Sequence, residues 1–174
     1  MQERYLGDIH DFYKFLFIKH LASNLKVRIG LNWFLVDPKS ISNSELKKND
    51  GEKRSYLNNP KVTNLDEKLS SELSDLVKKK NRNLKNFTTK THLQKFVKFY
   101  NEKIMRNERK LWFENSINFF CKNEIIFLDP DNGILKRPNG RNSQKYVLLD
   151  ELKSYQSKGK IIIFTQFQSY NKSF

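Results

Sequence analysis

A short apolar run that ends in acidic, amide and turn residues constrains the fold of this chain most strongly. The run covers residues 125–128 and is followed at once by Asp129-Pro130-Asp131-Asn132-Gly133. Four apolar residues suit a buried strand. The residues after them cannot continue it, because proline lacks an amide donor and the others favour turns. The pattern therefore predicts a core strand with carboxylates at its carboxyl end, which is the edge where open α/β sheets bind ligands.

Two further apolar runs have the same strand character. One covers residues 27–36 and stops at Asp37, and the other covers residues 160–165. Apolar residues at helical spacing fill the intervening segments, and short continuous apolar strands that alternate with helices are typical of a parallel sheet covered on both faces. We therefore predict a single α/β domain over residues 1–174, with a mainly parallel sheet and helices on both faces. The chain stops ten residues after Phe164, whereas a doubly wound sheet often continues with more strands, so we expect either a shortened member of its family or a truncated product.

The helix predictions rest on apolar periodicity and on end signals. Asp8 precedes the first periodic segment and is a suitable N-cap, because its side chain can accept from the free N–H groups of the first turn. Residues 39–60 are polar and longer than an ordinary connection, so we expect a functional or mobile loop there. The predicted helices cover residues 9–23, 65–77, 93–100, 111–120 and 151–155.

A net charge of +14 indicates a polyanionic partner, most of all nucleic acid. The alternative explanation is biased composition, because Lys far outnumbers Arg and Asn is abundant. Arginine forms bidentate hydrogen bonds with phosphates and guanine better than lysine does, and it is not enriched in this chain. We expect a nucleic-acid partner, and this expectation concerns binding and not fold.

Composition also excludes several classes of protein. The single cysteine, Cys121, excludes an internal disulfide and a cysteine-based zinc cluster. Charged residues interrupt every apolar run before it reaches membrane-spanning length, and the first five residues lack the apolar region of a secretory signal. These features predict a cytoplasmic protein without a membrane partner, and they leave the oligomeric state open.

The acidic residues at the strand ends are the best candidates for chemistry. Asp129, Asp131 and Asn132 follow one predicted strand, and Asp37 follows another. If the two strands are parallel neighbours, Asp37 and Asp129 face one crevice, where oxygen ligands suit Mg²⁺, a ribose or an exocyclic amine. The competing interpretation is a simple turn, because Asp-Pro-Asp-Asn-Gly is favourable turn chemistry. The sequence contains no Gly-rich dinucleotide fingerprint and no phosphate-binding loop of the P-loop type.

A metal-dependent nuclease is one alternative. Glu151 and Lys153 follow Asp129 at a spacing that suits nucleases whose strands supply one Asp, then an acid and a lysine two residues apart. Mg²⁺ bound by Asp129 and Asp131 would activate a water molecule, with Lys153 in support. The simpler interpretation places Glu151 and Lys153 in the exposed first turn of a helix.

Several motifs resemble those of a little-characterised bacterial and phage family, and the resemblance spans nearly the whole chain. Its most specific parts are Gly7-Asp8-x-x-Asp11-Phe12-x-Lys14 and Phe127-Leu128-Asp129-Pro130-Asp131-Asn132-Gly133. Further matches are a Trp-containing strand, Asn49-Asp50-Gly51, Tyr56-Leu57, Lys145-Tyr146-Val147 and Asp150-Glu151-Leu152.

More distantly, the order of elements is similar to that of Rossmann-like methyltransferases that modify adenine N6 in ribosomal RNA. This resemblance implies a methyltransferase-like fold with S-adenosylmethionine as cofactor, and it places Asp129 and Pro130 at the motif that holds the target amine. Asp131 and Asn132 stand where those enzymes carry a proline and an aromatic ring, and no Gly-rich cofactor turn follows Asp37. These departures imply a divergent active site.

The leading hypothesis is therefore a nucleic-acid-acting enzyme of methyltransferase-like fold, with S-adenosylmethionine or Mg²⁺ as the possible cofactor. The alternatives are the nuclease and a non-catalytic nucleic-acid-binding module descended from an enzyme fold, which the missing cofactor turn favours. The predicted site comprises Asp129, Asp131 and Asn132 as catalytic residues, and Asp37, Asp8, Asp11 and Lys14 around the cofactor.

Overall fold

A four-stranded parallel sheet forms the centre of the protein. The computed structural model describes residues 1–47, 53–78, 83–138 and 140–166. The strands are β1 (Ile29–Asn32), β2 (Val97–Tyr100), β3 (Ile125–Leu128), β4 (Ile134–Leu135), β5 (Val147–Leu148) and β6 (Ile161–Phe164). The central sheet has the order β2-β1-β3-β6, and all of its neighbouring strands are parallel. Strands β4 and β5 form a separate parallel pair.

Helices flank the central sheet. They are α1 (Ile9–Leu25), α2 (Pro38–Ile41), α3 (Asn43–Lys47), α4 (Pro60–Thr63), α5 (Glu67–Lys78), α6 (Leu84–Lys90), α7 (Arg109–Phe119) and α8 (Leu149–Ser157). Short 3₁₀ helices occur at Glu3–Tyr5, Ser55–Asn58, His92–Lys95, Arg106–Glu108 and Arg141–Lys145. Among the described residues, no helix has both the length and the apolar character needed to cross a membrane.

Helix α1 begins at the predicted cap. The Asp8 side chain accepts a hydrogen bond from the backbone N–H of Asp11 at 2.9 Å, which satisfies one of the free donors of the first turn. Phe12 and Phe15 lie on its buried face. The helix ends where Lys26 adopts the left-handed conformation, with φ of 55°. The cap fixes the start of α1, and this matters for the site because Asp8 and Asp11 lie there.

Two apolar clusters cover the two faces of the sheet, as the sequence predicts. Ile125 and Phe127 of β3 join the cluster that contains the buried face of α1, whereas Ile126 and Leu128 join the cluster that contains α7 and α8. All four residues are buried. Because successive side chains of a strand point to opposite faces, burial on both faces accounts for a continuous apolar run.

The strand order creates a switch point between β1 and β3. The chain passes from β1 to β2 on one side and then crosses to β3 on the other side of β1. In open α/β sheets, ligands bind in the crevice outside the carboxyl ends of two such strands. Asn32 and Leu128, the last residues of β1 and β3, are paired in register. The residues that follow these two strands therefore share one edge of the sheet.

One predicted helix is instead a strand. The apolar spacing of residues 93–100 predicts a helix, but only His92–Lys95 is helical, as a 3₁₀ turn, and Val97–Tyr100 forms β2. This segment pairs in parallel with β1, and Val97 lies opposite Ile29. That pairing decides the structure of the segment, although its apolar residues have helical spacing. Valine, phenylalanine and tyrosine also favour strands. The helix prediction for this segment is wrong.

Other differences concern boundaries and the long connection. The strand predicted over residues 27–36 is confirmed only at Ile29–Asn32. Residues 39–60 contain α2, α3 and the turn Ser55–Asn58, so part of the expected loop is helical. The turn predicted at residues 49–51 lies outside the described residues. The remaining predicted helices correspond to α1, α5, α7 and α8, and the runs at residues 125–128 and 160–165 correspond to β3 and β6.

Candidate functional site

The candidate site lies at the carboxyl ends of β1 and β3. The backbone N–H of Asp129 donates to the carbonyl of Asn32 at 2.9 Å, which holds the two strand ends together. After β1 the chain turns sharply at Phe34, which has φ of 48°, a left-handed conformation that is rare for a bulky residue. The side-chain oxygen of Asn32 accepts from the Phe34 N–H at 3.1 Å and supports this turn.

Four charged residues that we call the Lys14 cluster meet at this edge: Asp8, Asp11, Lys14 and Asp129. The Lys14 ammonium lies 2.6 Å from Asp11 Oδ1 and 2.5 Å from Asp129 Oδ2. The side chain of Lys14 is only 8% exposed, and both carboxylates are buried. Thr165 Oγ1 donates to the second oxygen of Asp129 at 3.3 Å. Lys14 thus joins the start of α1 to the end of β3.

The ammonium of Lys14 is held in its charged form. Burial alone would lower the pKa of Lys14, but the carboxylates of Asp11 and Asp129 outweigh burial and raise that pKa above its ordinary value. Lys14 also lies 5.0 Å from the centre of the Trp33 ring, where a cation is attracted by the ring face. Lys14 is therefore a fixed positive charge between two buried acids.

Burial raises the pKa of both Asp8 and Asp11, but both oxygens of Asp11 are already bound, by Lys14 and by the Gly7 N–H. Burial, followed by the neighbouring carboxylate of Asp11, raises the pKa of Asp8 to about 6, although the Asp11 N–H bond and Lys14 act in the opposite direction. One oxygen caps α1. Among the described residues the other oxygen has no hydrogen-bond partner, although Asp8 is buried. Such a carboxyl group can accept or release a proton near neutral pH.

A second feature, the oxygen cage, adjoins the cluster. It consists of the backbone carbonyls of Phe34 and Asp129 and the carboxylate of Asp131, and all three bind the amino group of Met1, at 3.1, 3.3 and 2.8 Å. Burial alone would raise the pKa of Asp131, but the Met1 ammonium and the Gln2 side chain lower it below its ordinary value. Three acceptors that converge in this way form a site for an amine.

A polar pocket of about 310 Å³ lies beside the oxygen cage. Gln2 connects the two features, because its Nε2 donates to Asp131 Oδ2 and to Glu45 Oε1, each at 2.9 Å. Lys145 Nζ also lies 2.9 Å from Glu45 Oε1. Besides Tyr146, the residues that line the pocket are Ser42, Ser44, Glu45, Asn132, Asn142 and Lys145.

The structure therefore brings together most of the predicted site residues. Asp8, Asp11, Lys14 and Asp129 form the Lys14 cluster, Asp131 belongs to the oxygen cage and Asn132 lines the pocket.

Asp37 forms no hydrogen bond or ion pair with the Lys14 cluster or the oxygen cage in the described part of the chain. Its carboxylate caps α2 by accepting from the N–H of Lys39 at 3.0 Å. Although β1 and β3 are parallel neighbours, Asp37 follows the last residue of β1 by five positions, and the intervening turn carries it into a helix start. The prediction that Asp37 and Asp129 face one crevice rested on a strand that reached Val36, and β1 is shorter than that.

Glu151 and Lys153 lie in different surroundings from those that the nuclease hypothesis needs. The Glu151 carboxylate is buried and binds Arg109, with Arg109 Nε at 2.7 Å from Oε1 and Nη2 at 2.9 Å from Oε2. Its Oε2 also accepts from the Leu148 N–H at 2.9 Å, which caps α8. Lys153 is exposed near Asp150. Both oxygens of Glu151 are thus used in structural bonds.

The described residues at the switch point form no preformed site for either predicted cofactor. For Mg²⁺, no three or more His, Cys, Asp or Glu residues are placed to hold a metal ion within the described ranges, and cations already neutralise Asp129 and Asp131. For S-adenosylmethionine, the turn after β1 is formed by the fully buried Trp33 and Phe34, with no glycine to admit a cofactor.

Several residues of the site carry no signal in the sequence. Met1 and Gln2 precede the first helix, and Glu45 and Lys145 come from polar segments. Only Lys145 was part of a recognisable motif, Lys145-Tyr146-Val147. Glu45 in α3 is nevertheless 5% exposed, and a buried acid requires a partner.

Comparisons with protein-family models, with curated proteins and with solved structures give no significant match for this chain. The functional interpretation therefore rests on the geometry of the Lys14 cluster, the oxygen cage and the polar pocket.

Proposed function

We propose that this protein is a nucleic-acid-acting enzyme of Rossmann-like fold, in which Asp8 serves as a general acid–base. The observation that carries the proposal is the second carboxylate oxygen of Asp8, which has no hydrogen-bond partner among the described residues. It lies beside the buried Asp11–Lys14–Asp129 ion pairs, at the edge of the sheet where α/β proteins bind ligands. The pKa of Asp8, raised to about 6, supports it, because perturbed acids concentrate at functional sites.

Each part of the site has a distinct role in this proposal. Asp8 takes a proton from a substrate N–H or O–H group, or returns one. Lys14 holds Asp11 and Asp129 in place and supplies a fixed positive charge nearby. The acceptors of the oxygen cage suit an amine of the substrate, such as the exocyclic amine of a base, and such an amine would have to displace the Met1 amino group.

The net charge of +14 supports a nucleic-acid substrate. A basic protein binds phosphates with release of counterions, so its affinity falls as salt rises. We expect the affinity for a labelled oligonucleotide to fall at least about tenfold between about 50 mM and about 200 mM salt. Absence of binding at the lower salt would show that the charge is compositional and would remove the nucleic-acid substrate.

The reaction is tested by mass spectrometry of oligonucleotide products. DNA and RNA oligonucleotides, single- and double-stranded, are incubated with the protein across a pH series, with S-adenosylmethionine and Mg²⁺ supplied in separate arms. We expect a product that the wild type forms and Asp8→Asn does not, with a rate that depends on a group of pKa near 6. If the wild type binds but leaves every oligonucleotide unchanged at every pH, the protein is not this enzyme.

A non-catalytic nucleic-acid-binding module is the second candidate. It is favoured by the ion pairing of both strand-end acids, because Asp129 is bound to Lys14 and Asp131 to the Met1 amino group. For such a module, salt-sensitive binding persists in Asp8→Asn and Asp129→Asn and no product forms. The enzyme requires loss of product in Asp8→Asn with binding retained, so the two candidates give opposite results.

A further inference from the structure

We propose that the polar pocket is a subsite for the sugar and phosphate of one nucleotide in the bound strand. The inference rests on the proposed function, because it assumes a nucleic-acid ligand, and it assigns a second position to that ligand. The base amine would occupy the oxygen cage, and the sugar–phosphate of the same or the adjacent nucleotide would occupy the pocket.

The chemistry of the pocket wall supports this assignment. The side-chain amides of Asn132 and Asn142 have no hydrogen-bond partner among the described residues, so their donors and acceptors are available to a ligand. Ser42 and Ser44 add hydroxyl groups, and their oxygens lie 2.8 Å apart. Lys145 contributes an ammonium group. The Glu45 carboxylate also lines the pocket and pairs with this ammonium. Amides, hydroxyls and a carboxylate can bind the hydroxyls of a sugar, and the ammonium can bind a phosphate.

Size and polarity also favour a sugar–phosphate over an apolar ligand. A volume of about 310 Å³ is at the lower end of small-molecule sites. Such sites are ordinarily lined by apolar and aromatic side chains, whereas among the described residues that line this pocket only Tyr146 is aromatic. A base in this pocket would find little stacking surface. A sugar with its phosphate would find hydrogen-bond partners.

The connection to the oxygen cage makes one ligand sufficient for both positions. Gln2 binds Asp131 on the cage side and Glu45 on the pocket side through the same Nε2 atom. Lys145 is held by Glu45, and the backbone N–H of Asn132 donates to the Lys145 carbonyl at 2.9 Å. The pocket is thus built from the same segments that build the cage. Lys136, Arg137 and Arg141 precede Lys145 on the same segment and are exposed, which adds positive charge near a phosphate.

The test compares two asparagine variants in nucleic-acid binding. The double variant Asn132→Ala/Asn142→Ala removes the free amides without breaking a side-chain hydrogen bond within the described structure. We expect the affinity for a labelled ten-nucleotide strand, measured by fluorescence anisotropy, to fall by about tenfold. The matched control is Asn118→Ala, an exposed asparagine near the end of α7 and thus towards the opposite edge of the sheet, and we expect it to leave the affinity unchanged.

The outcomes separate this inference from the proposed function. If the wild type binds the strand and the double variant binds it equally well, the subsite is wrong and nucleic-acid binding stands. If the wild type does not bind the strand at low salt, the proposed function is wrong, and the subsite inference, which rests on it, is wrong as well.

A direct measurement uses ribose 5-phosphate as the probe. We expect it to shift the NMR signals of the Asn132 and Asn142 side-chain amides more than inorganic phosphate at the same concentration does. Equal shifts with both probes would reduce the pocket to an anion site and contradict the sugar assignment.

Discussion

Two of the buried charged clusters in the described part of the chain differ in which of their oxygens remain without a partner. The Lys14 cluster joins the start of α1 to the end of β3. The other, which we call the Arg109 cluster, consists of Arg109 and Glu151 with the backbone groups that they bind. Arg109 donates to Glu151 and to the carbonyls of Ser143 and Tyr146, at 3.0 and 2.7 Å. It ties α7 to the segment that contains β5 and to α8.

The comparison shows how a structural ion pair differs from a site that can do chemistry. In the Arg109 cluster both carboxylate oxygens of Glu151 are bound by Arg109, and one of them also caps α8. In the Lys14 cluster, Asp8 keeps one oxygen without a partner among the described residues, and its pKa is raised to about 6. Both clusters are buried and charged, but only the Lys14 cluster lies at the switch point of the sheet.

The largest expected effect is that of Lys14→Met. It leaves Asp11 and Asp129 buried without their cation, so we expect the free energy of unfolding to fall by about 3–5 kcal/mol, measured by urea denaturation. The control is Lys19→Met on the same helix, whose 29% exposed lysine pairs with one carboxylate, that of the 7% exposed Asp66, so we expect a smaller loss of about 1–2 kcal/mol. Equal losses in the two variants would mean that burial does not set the strength of the Lys14 pairs.

Glu151→Gln should have a smaller effect, confined to stability. Glutamine keeps one acceptor for Arg109 but loses the charge, so we expect a loss of about 1–3 kcal/mol in the free energy of unfolding. Affinity for an oligonucleotide should not change under conditions in which the variant is folded. Lys153→Ala, which removes an exposed pair with Asp150, should leave the unfolding midpoint unchanged. A loss of oligonucleotide binding in Glu151→Gln would assign the Arg109 cluster to the functional site.

Asp8→Asn should stabilise the protein at neutral pH. The pKa of Asp8 is about 6 in the fold and 3.8 ordinarily, so the fold resists ionisation, and wild-type stability falls as pH rises between these values. Asparagine caps a helix as well as aspartate and carries no charge. We expect a gain of about 1–2 kcal/mol near pH 7.5 that vanishes near pH 4, from urea denaturation at both pH values. A gain that is the same at both pH values would contradict the raised pKa.

Asp37→Ala should have the smallest effect. Asp37 caps only the four-residue helix α2, so its removal should cost about 0.5–1 kcal/mol of stability. Oligonucleotide binding and product formation should remain at wild-type levels. If the Asp37→Ala variant folds but no longer forms product, Asp37 belongs to the functional site.

Secondary-structure elements are easiest to predict from the sequence where burial alone determines their residue pattern. The run at residues 125–128 is apolar throughout because β3 is covered on both faces, and it was recognisable for that reason. In β2, Lys98 interrupts the apolar residues and uses its ammonium to bind the carbonyl of Phe119. Only the pairing with β1 identifies that segment as a strand, and pairing between distant segments is not visible in local spacing.

The site was predictable in part for a similar reason. Asp129 and Asp131 are marked by their position after a strand, and Asp8, Asp11 and Lys14 by a motif. Contact between these residues depends on the tertiary fold, since Lys14 and Asp129 are 115 residues apart in the chain. The same holds for Glu45, which reaches the site from a polar segment that has no apolar pattern.

The most direct test of the account is a carboxyl-carbon NMR titration of the protein with and without an oligonucleotide. The account predicts that Asp8 titrates with a midpoint near 6, that the oligonucleotide shifts the Asp8 signal, and that the Glu151 signal does not respond to the oligonucleotide. An Asp8 midpoint near its ordinary value, together with an Asp8 signal that the oligonucleotide leaves unchanged, would contradict the claim that the Lys14 cluster is the functional site.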